Sequence, residues 1–235
     1  MTNSAGPGKH RGGLGTELVF EALAPNTRVT ARNRDRTVFS GWGIAGGKAG
    51  GLSRFIRNPD RDNAFDLRNT DIVTIDPGDI IHVTCGGAGG WGDPLQRDPE
   101  AVLRDVLRGW VSCDHAQQEY GVIISDRKLD EEATEACRKA RGNDGGDGKE
   151  ASFYHVGKAQ QAFETVWTEA NYDALTEGLM KLPVTWRFYA KHRVFSMIDK
   201  LPSDDPGRSD GTAVRRGFTR LSEEFPDLAE AGDNS

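Results

Sequence analysis

The chain has 235 residues, of which 36% are hydrophobic and 28% charged, with a formal net charge of -6. That balance fits one or two soluble domains with a real core, and it disfavours nucleic-acid and anionic-membrane partners, both of which reward a basic face. No apolar run approaches the about 20 residues of a membrane span, and no apolar segment follows Lys9, His10 and Arg11, so no signal peptide is read. Cys85, Cys113 and Cys137 are odd in number, far apart and without a C-x-x-C pair. They read as free thiols of a reducing compartment, and a cytoplasmic location is expected.

Residues 1–97 hold most of the glycines, in three clusters at 6–15, 41–51 and 86–92. Between the clusters the pattern is that of short strands. Thr16 to Leu23 alternates with Leu18 and Phe20 on one face, and Pro25-Asn26 is the turn that would pair it with Thr27 to Asn33. Leu52 to Arg57 is another short strand. Asp71 to Asp76 is β-branched, and Pro77-Gly78-Asp79 is expected to fold it back on Ile80 to Thr84 as a hairpin.

The period then changes from 2 to 3.6. Asp98-Pro99-Glu100 combines an N-cap, a proline at the first helical position and an early acid. The stripe Val102, Leu103, Val106 and Leu107 continues that helix to Gly109, with Trp110 folding back on it. Ser112 caps a second helix that Gly121 ends, Val122 to Ile124 is extended, and Asp130 caps a third helix to about Ala140. Residues 141–151 are a glycine-rich linker. Phe153 to Trp167 reads as helix, as do Tyr172 to Leu182 and, after Pro183, Val184 to Leu201. The fold class expected is α+β, with a glycine-rich antiparallel β N-terminal part and a helical C-terminal part. The segments are 1–97 (β region), 98–140 (helical continuation), 141–151 (linker), 152–201 (helical extension) and 202–235 (flexible tail with one helix over Ala213 to Leu228).

Familiar phosphate motifs fail on context. Gly41-Trp42-Gly43-Ile44-Ala45-Gly46 matches G-x-G-x-x-G but leads into a strand, and Gly87-Ala88-Gly89-Gly90-Trp91-Gly92 is separated from the next helix by Asp93-Pro94. Lys48 lacks the following Ser or Thr of a Walker loop. His10, His82, His115, His155 and His192 show no metal-ligand spacing. Cys113-Asp114-His115 would point in different directions in a first helical turn and reads as surface capping. No Ser-His-Asp set can be assembled. Consecutive glycine N–H groups with nearby cations remain able to meet an anion.

Taken together, GPGKHRGGLG at 6–15, WGIAGGKAGGLSR at 42–54 and PGDIIHVTCGGAGGWGDPLQRDPEAVLRDVLRGWVS at 77–112 resemble the C-terminal part of the hydantoinase B/oxoprolinase family. Tyr120-Gly121-Val122 and Leu129 to Thr134 continue the resemblance, which covers about residues 4–140. It implies a B-type subunit of an ATP-dependent enzyme that hydrolyses a cyclic amide (hydantoin, 5-oxoproline or another lactam) or, alternatively, carboxylates a ketone such as acetone or acetophenone. It implies as partners an A-type subunit that binds Mg-ATP and an N-terminal B-type half that carries a divalent metal. On this reading Met1 falls just before the family's glycine segment, and the chain holds no metal site and no cofactor site of its own. Among residues able to touch substrate or phosphate, the expected ones are Lys9, Arg11, Lys48 and Asp93. Gly12, Gly13, Gly46, Gly47, Gly86, Gly87, Gly89, Gly90 and Gly92 are expected to be structural. A non-catalytic assembly subunit, docking through the helices after residue 151, is the rival from another class.

Overall fold

A computed structural model describes residues 1–31, 36–68, 70–143 and 153–226. The end of the expected strand at Asn33, most of the expected linker and the last residues of the expected tail lie outside them. The chain divides into two compact units, Met1–Gln160 and Gln161–Ser235.

The first unit begins with strands. β1 (Thr16–Glu21), β2 (Thr27–Thr30), β3 (Gly43–Ile44), β4 (Arg54–Arg57), β5 (Phe65–Asp66), β6 (Ile72–Ile75) and β7 (Ile80–Cys85) precede the first helix. They form a four-stranded antiparallel sheet in the order β1-β7-β4-β5 and a separate β2-β6 pair. Both expected hairpins are therefore corrected. β1 pairs with β7, Thr16 opposite Cys85 through Glu21 opposite Ile80, and β2 pairs with β6.

The Asp76–Asp79 turn does form, closed by Asp79 N–H to the Asp76 carbonyl at 3.0 Å, yet its two strands enter different sheets. Burial explains the choice. Ile75 and Ile81 are both fully buried, and together with Phe55, Leu67, Ala22 and Ala31 they fill one core from opposite sides. A flat hairpin would hold the two strands in one layer and leave that core without a second wall.

Asp79 locks this corner. Its carboxylate accepts hydrogen bonds from the Asp76 N–H (2.9 Å), Asn58 Nδ2 (2.7 Å) and Arg57 (2.7 Å). The Asp76 N–H first, and then Asn58 and Arg57, lower its pKa to about 2.

The helical continuation follows the expected caps closely. A 3-10 turn, Pro94–Gln96, is capped by Asp93, and α1 (Pro99–Leu107) by Asp98. Ser112 caps α2 (Cys113–Tyr120), which ends at Gly121 in the left-handed region (φ 63°). Asp130 Oδ1 accepts from Ala133 N–H at the start of α3 (Glu131–Asn143). β8 (Ile123–Ser125) and β9 (Lys128–Asp130) form a small hairpin between them. Val102, Val111, Ala116, Tyr120 and Val122 make the local core.

Phe153 to Trp167 is helical only in part. β10 (Tyr154–His155) pairs with β3, and α4 spans Lys158–Val166.

The second unit is a helical bundle. α5 (Glu169–Met180), α6 (Val184–Asp199) and α7 (Thr212–Glu224) bury Leu175, Val194, Ile198, Val214 and Leu221 against one another. Trp167 stacks on Phe195 with centroids 3.8 Å apart. Asn171 is fully buried and fully used, donating to the Val166 and Arg208 carbonyls and accepting from Gly211 N–H. Residues 202–226 thus contribute to this core a packed helix, α7, which overlaps the helix expected over Ala213 to Leu228.

Candidate functional site

The three glycine clusters, distant in sequence, lie side by side and hydrogen-bond through their main chains. Gly6 N–H donates to the Ala88 carbonyl (2.8 Å), Lys48 N–H to Pro7 (2.7 Å), Gly90 N–H to Lys48 (2.9 Å), Gly51 N–H to Ser4 (2.8 Å) and Ala88 N–H to Gly13 (3.0 Å). His10 and Trp91 exchange both bonds at 2.9 Å, and Ile44 bridges Trp91 on the other side.

The approach is too close for side chains. A Cβ on Gly87 would overlap the Ser4 carbonyl oxygen, and one on Gly89 the Trp42 carbonyl. Gly12, Gly47, Gly86 and Gly90 have neighbouring backbone at similar range. Gly46 (φ 92°) and Gly92 (φ 73°) sit instead at left-handed turns. Gly13 has open space where a Cβ would stand, so its place in the interlock rests on its carbonyl alone.

The four candidate side chains are distributed around this interlock with different degrees of freedom. Arg11 is committed: its Nε donates to Asp105 at 3.0 Å, and its guanidinium lies 5.4 Å from the Trp110 ring centroid. Lys48 donates to Glu119 at 2.5 Å and keeps its side chain 42% exposed, so it holds its partner without being sealed. Asp93 caps the 3-10 turn through Leu95 N–H at 2.9 Å. Lys9 is exposed, its N–H donating to the Gly92 carbonyl. Arg11 pairs with α1 and Lys48 with α2, so the two cations are held by different helices.

Sequence reasoning missed the acidic and aromatic partners. Asp105, with its side chain only 6% exposed, binds Arg11 and also Arg97 at 2.9 Å. A carboxylate this buried is tolerable because two guanidinium groups surround it. A signal existed: Asp105 stands three residues after Val102, inside the apolar stripe of α1, where an acid demands a cation. Tyr120, next to this pair, has its hydroxyl pushed up to about 12 by burial, the Arg97 and Arg11 charges opposing. His115 is not a surface cap. Burial lowers its pKa, with Glu119 opposing, and its Nε2 is enclosed edge-on to Tyr120. His82 does lie on a strand face, 2.6 Å from Glu17.

Beside the interlock, Arg36, Trp42, Ile44 and the backbone of 86–89 line an open pocket of about 400 Å³. Among the described residues no three His, Cys, Asp or Glu side chains converge. None of the described helices is long and apolar enough to cross a membrane.

An α+β unit clasped by main-chain glycine contacts is the class that fold and site define together. The family model for hydantoinase B/oxoprolinase matches residues 1–94, which contain all three loops. Those residues are similar to the hydantoinase B/oxoprolinase family, and the resemblance carried by the glycine motifs is borne out.

The chain is 42% identical over 147 residues to the beta subunit of the caprolactamase of Pseudomonas jessenii, covering 60% of this chain and 25% of the relative. It is 33% identical over 140 residues to the B subunit of a putative D-/L-hydantoinase of Pseudomonas sp. (strain NS671), covering 58% and 23%. It is 27% identical over 174 residues to the delta subunit of the acetophenone carboxylase of Aromatoleum aromaticum, covering 59% and 25%. The chain thus spans about a quarter of the length of these curated relatives.

Proposed function

We propose that this chain supplies the glycine-clasped part of a B-type subunit in an ATP-dependent enzyme that hydrolyses a cyclic amide. It acts together with the remaining B-type sequence and an A-type subunit that binds Mg-ATP. The observation that carries the reading is the 42% identity to a caprolactamase beta subunit, combined with a site in which Gly12, Gly47, Gly86, Gly87, Gly89 and Gly90 have no room for a Cβ. A lactam is thereby preferred over a hydantoin or 5-oxoproline. A ketone-carboxylating enzyme is the second reading, favoured by the similarity to the acetophenone carboxylase delta subunit.

In this scheme Lys9 and Lys48 are the cations available to neutralise a developing oxyanion or phosphate. Lys9 is exposed, and Lys48, held by a single partly exposed ion pair, needs only to leave Glu119. Arg11 and Asp93 act as positioning residues, Arg11 by tying the first loop to α1 and Asp93 by setting the 3-10 turn that follows the third. The divalent metal and the nucleotide are assigned to the partner sequence, and no step on this chain is routed through them.

The test is reconstitution. The chain is mixed with an A-type caprolactamase subunit and a beta subunit from which the matched quarter has been deleted, and ATP-dependent ring opening of caprolactam is assayed. Restored turnover that falls at least tenfold with Lys48→Ala supports the reading. Restored turnover indifferent to Lys9→Ala, Lys48→Ala and Asp93→Ala removes these residues from the chemistry, and no turnover from a complex that forms makes the chain an assembly subunit.

A further inference from the structure

β1 is an unusual strand. It is an edge of the four-stranded sheet and among the described residues is hydrogen-bonded to β7 alone, which leaves its outer row of N–H and C=O groups unpaired there. None of its six residues is buried: five are exposed and Phe20 is half-buried. Leu18 is 59% exposed on the face that continues toward Phe20 and Ile81, and Val19 is 57% exposed on the opposite face, across from His82. Apolar side chains therefore stand open on both faces of a free edge.

Edge strands are ordinarily blunted by lysine, proline, a bulge or extreme shortness. β5, at the other edge, has two residues and meets that description. Thr-Glu-Leu-Val-Phe-Glu has no lysine, proline or bulge, and its only charges are two glutamates near its ends. One of its acids, Glu17, is already engaged with His82.

We infer that the outer edge of β1 is an interaction surface that receives an extended segment of the B-type sequence, as a fifth strand beside Thr16–Glu21. The inference rests on the functional reading above and names where that partner engages. What selects this occupant is length. The relatives extend over about four times the stretch that this chain matches, so three quarters of their sequence must pack somewhere outside it. β1 follows Gly15 directly, so a strand added there abuts the interlock and couples its loops to the partner. Main-chain hydrogen bonds along six residues supply affinity, and alternating apolar residues on the incoming strand cover Leu18 and Val19.

The experiment uses the beta subunit of Pseudomonas jessenii caprolactamase lacking its matched quarter as the probe. Complex formation is followed by size exclusion with light scattering, and β1 by amide hydrogen exchange. The expected result is a one-to-one complex in which the outward-facing amides of Thr16–Glu21, those not bonded to β7, exchange at least tenfold more slowly. The double variant Leu18→Lys/Val19→Lys, with unchanged circular dichroism and melting, binds at least tenfold more weakly, whereas Phe65→Lys at the opposite edge binds as the parent does. A chimaera in which this chain replaces the matched quarter reports the same exchange should the deleted subunit fail to fold.

A complex that forms with β1 exchange unchanged and with the double variant binding normally overturns the inference and leaves the functional reading standing. A dimer of the chain alone that depends on Leu18 and Val19 overturns the choice of occupant. Absence of any complex together with an inactive chimaera overturns the functional reading itself.

Discussion

The glycine interlock of the first unit and the helical core of the second solve the same problem with opposite materials. In the interlock, backbone packs on backbone: Gly87 against Ser4, Gly89 against Trp42 and Gly47 against Gly90, with hydrogen bonds between segments far apart in sequence. In the bundle, side chains do the packing, with Val194, Ile198, Val214 and Leu221 essentially sealed from solvent. Ordering glycine costs more conformational entropy than ordering any other residue. The interlock recovers that cost through cross-linked main-chain bonds and leaves no slack, whereas an apolar core tolerates volume-conserving exchange. One region is therefore sensitive to any Cβ, and the other only to lost volume.

This contrast can be broken at graded points. Gly89→Val is expected to have the largest effect, above about 3 kcal/mol, the upper end of ordinary overpacking. It should be seen as lost amide protection in 4–15, 41–51 and 85–93. Gly13→Ala, in open space, should stay within about 0.5 kcal/mol, and equal penalties at the two positions would undo the comparison.

Asp105→Ala comes next, at about 3 kcal/mol, because it leaves Arg11 and Arg97, both largely buried, without their shared carboxylate. Chemical denaturation reads it. A loss no larger than that of an exposed pair such as Lys181–Glu177 would mean that the pair does not anchor the loop. Ile198→Val in the bundle should cost only about 1 kcal/mol, measured by exchange in α5 to α7, since the side-chain core can partly close on the missing methyl.

A further effect is pH-dependent. Asp79 has a folded pKa of about 2, below the ordinary 3.8, so its stabilisation is full above 3.8 and is lost as pH falls toward 2. Asp79→Asn should flatten that part of the acid unfolding curve of the first unit, and an unchanged curve would remove Asp79 from the lock on the β6–β7 corner.

Much of the helical half was legible because its signals are local. Asp98, Ser112, Gly121 and Asp130 act within a few residues of themselves, and each cap was found where its chemistry put it. The strand pairings were not legible, because pairing depends on which faces share a core. Pro77-Gly78-Asp79 is a sound turn whose strands nevertheless part company, since Ile75 and Ile81 fill a core from two sides. Tyr154–His155 was read as helix because nothing in its own sequence announces that Gly43–Ile44 lies alongside. At the site, Lys48 and Arg11 were visible as cations beside glycines. Their acidic partners Glu119 and Asp105, 71 and 94 residues away, were not.

By itself the sequence determined the family that the glycine segment resembles, the change from strands to helices near Asp98 and the caps of the helices, because motif, period and capping are properties of neighbouring residues. Only the tertiary structure decided that three glycine runs form a single clasp, that Arg11 is spent on Asp105 while Lys9 is exposed, and that β1 is left with an open edge. Those outcomes depend on which distant segments compete for the same space and the same hydrogen bonds.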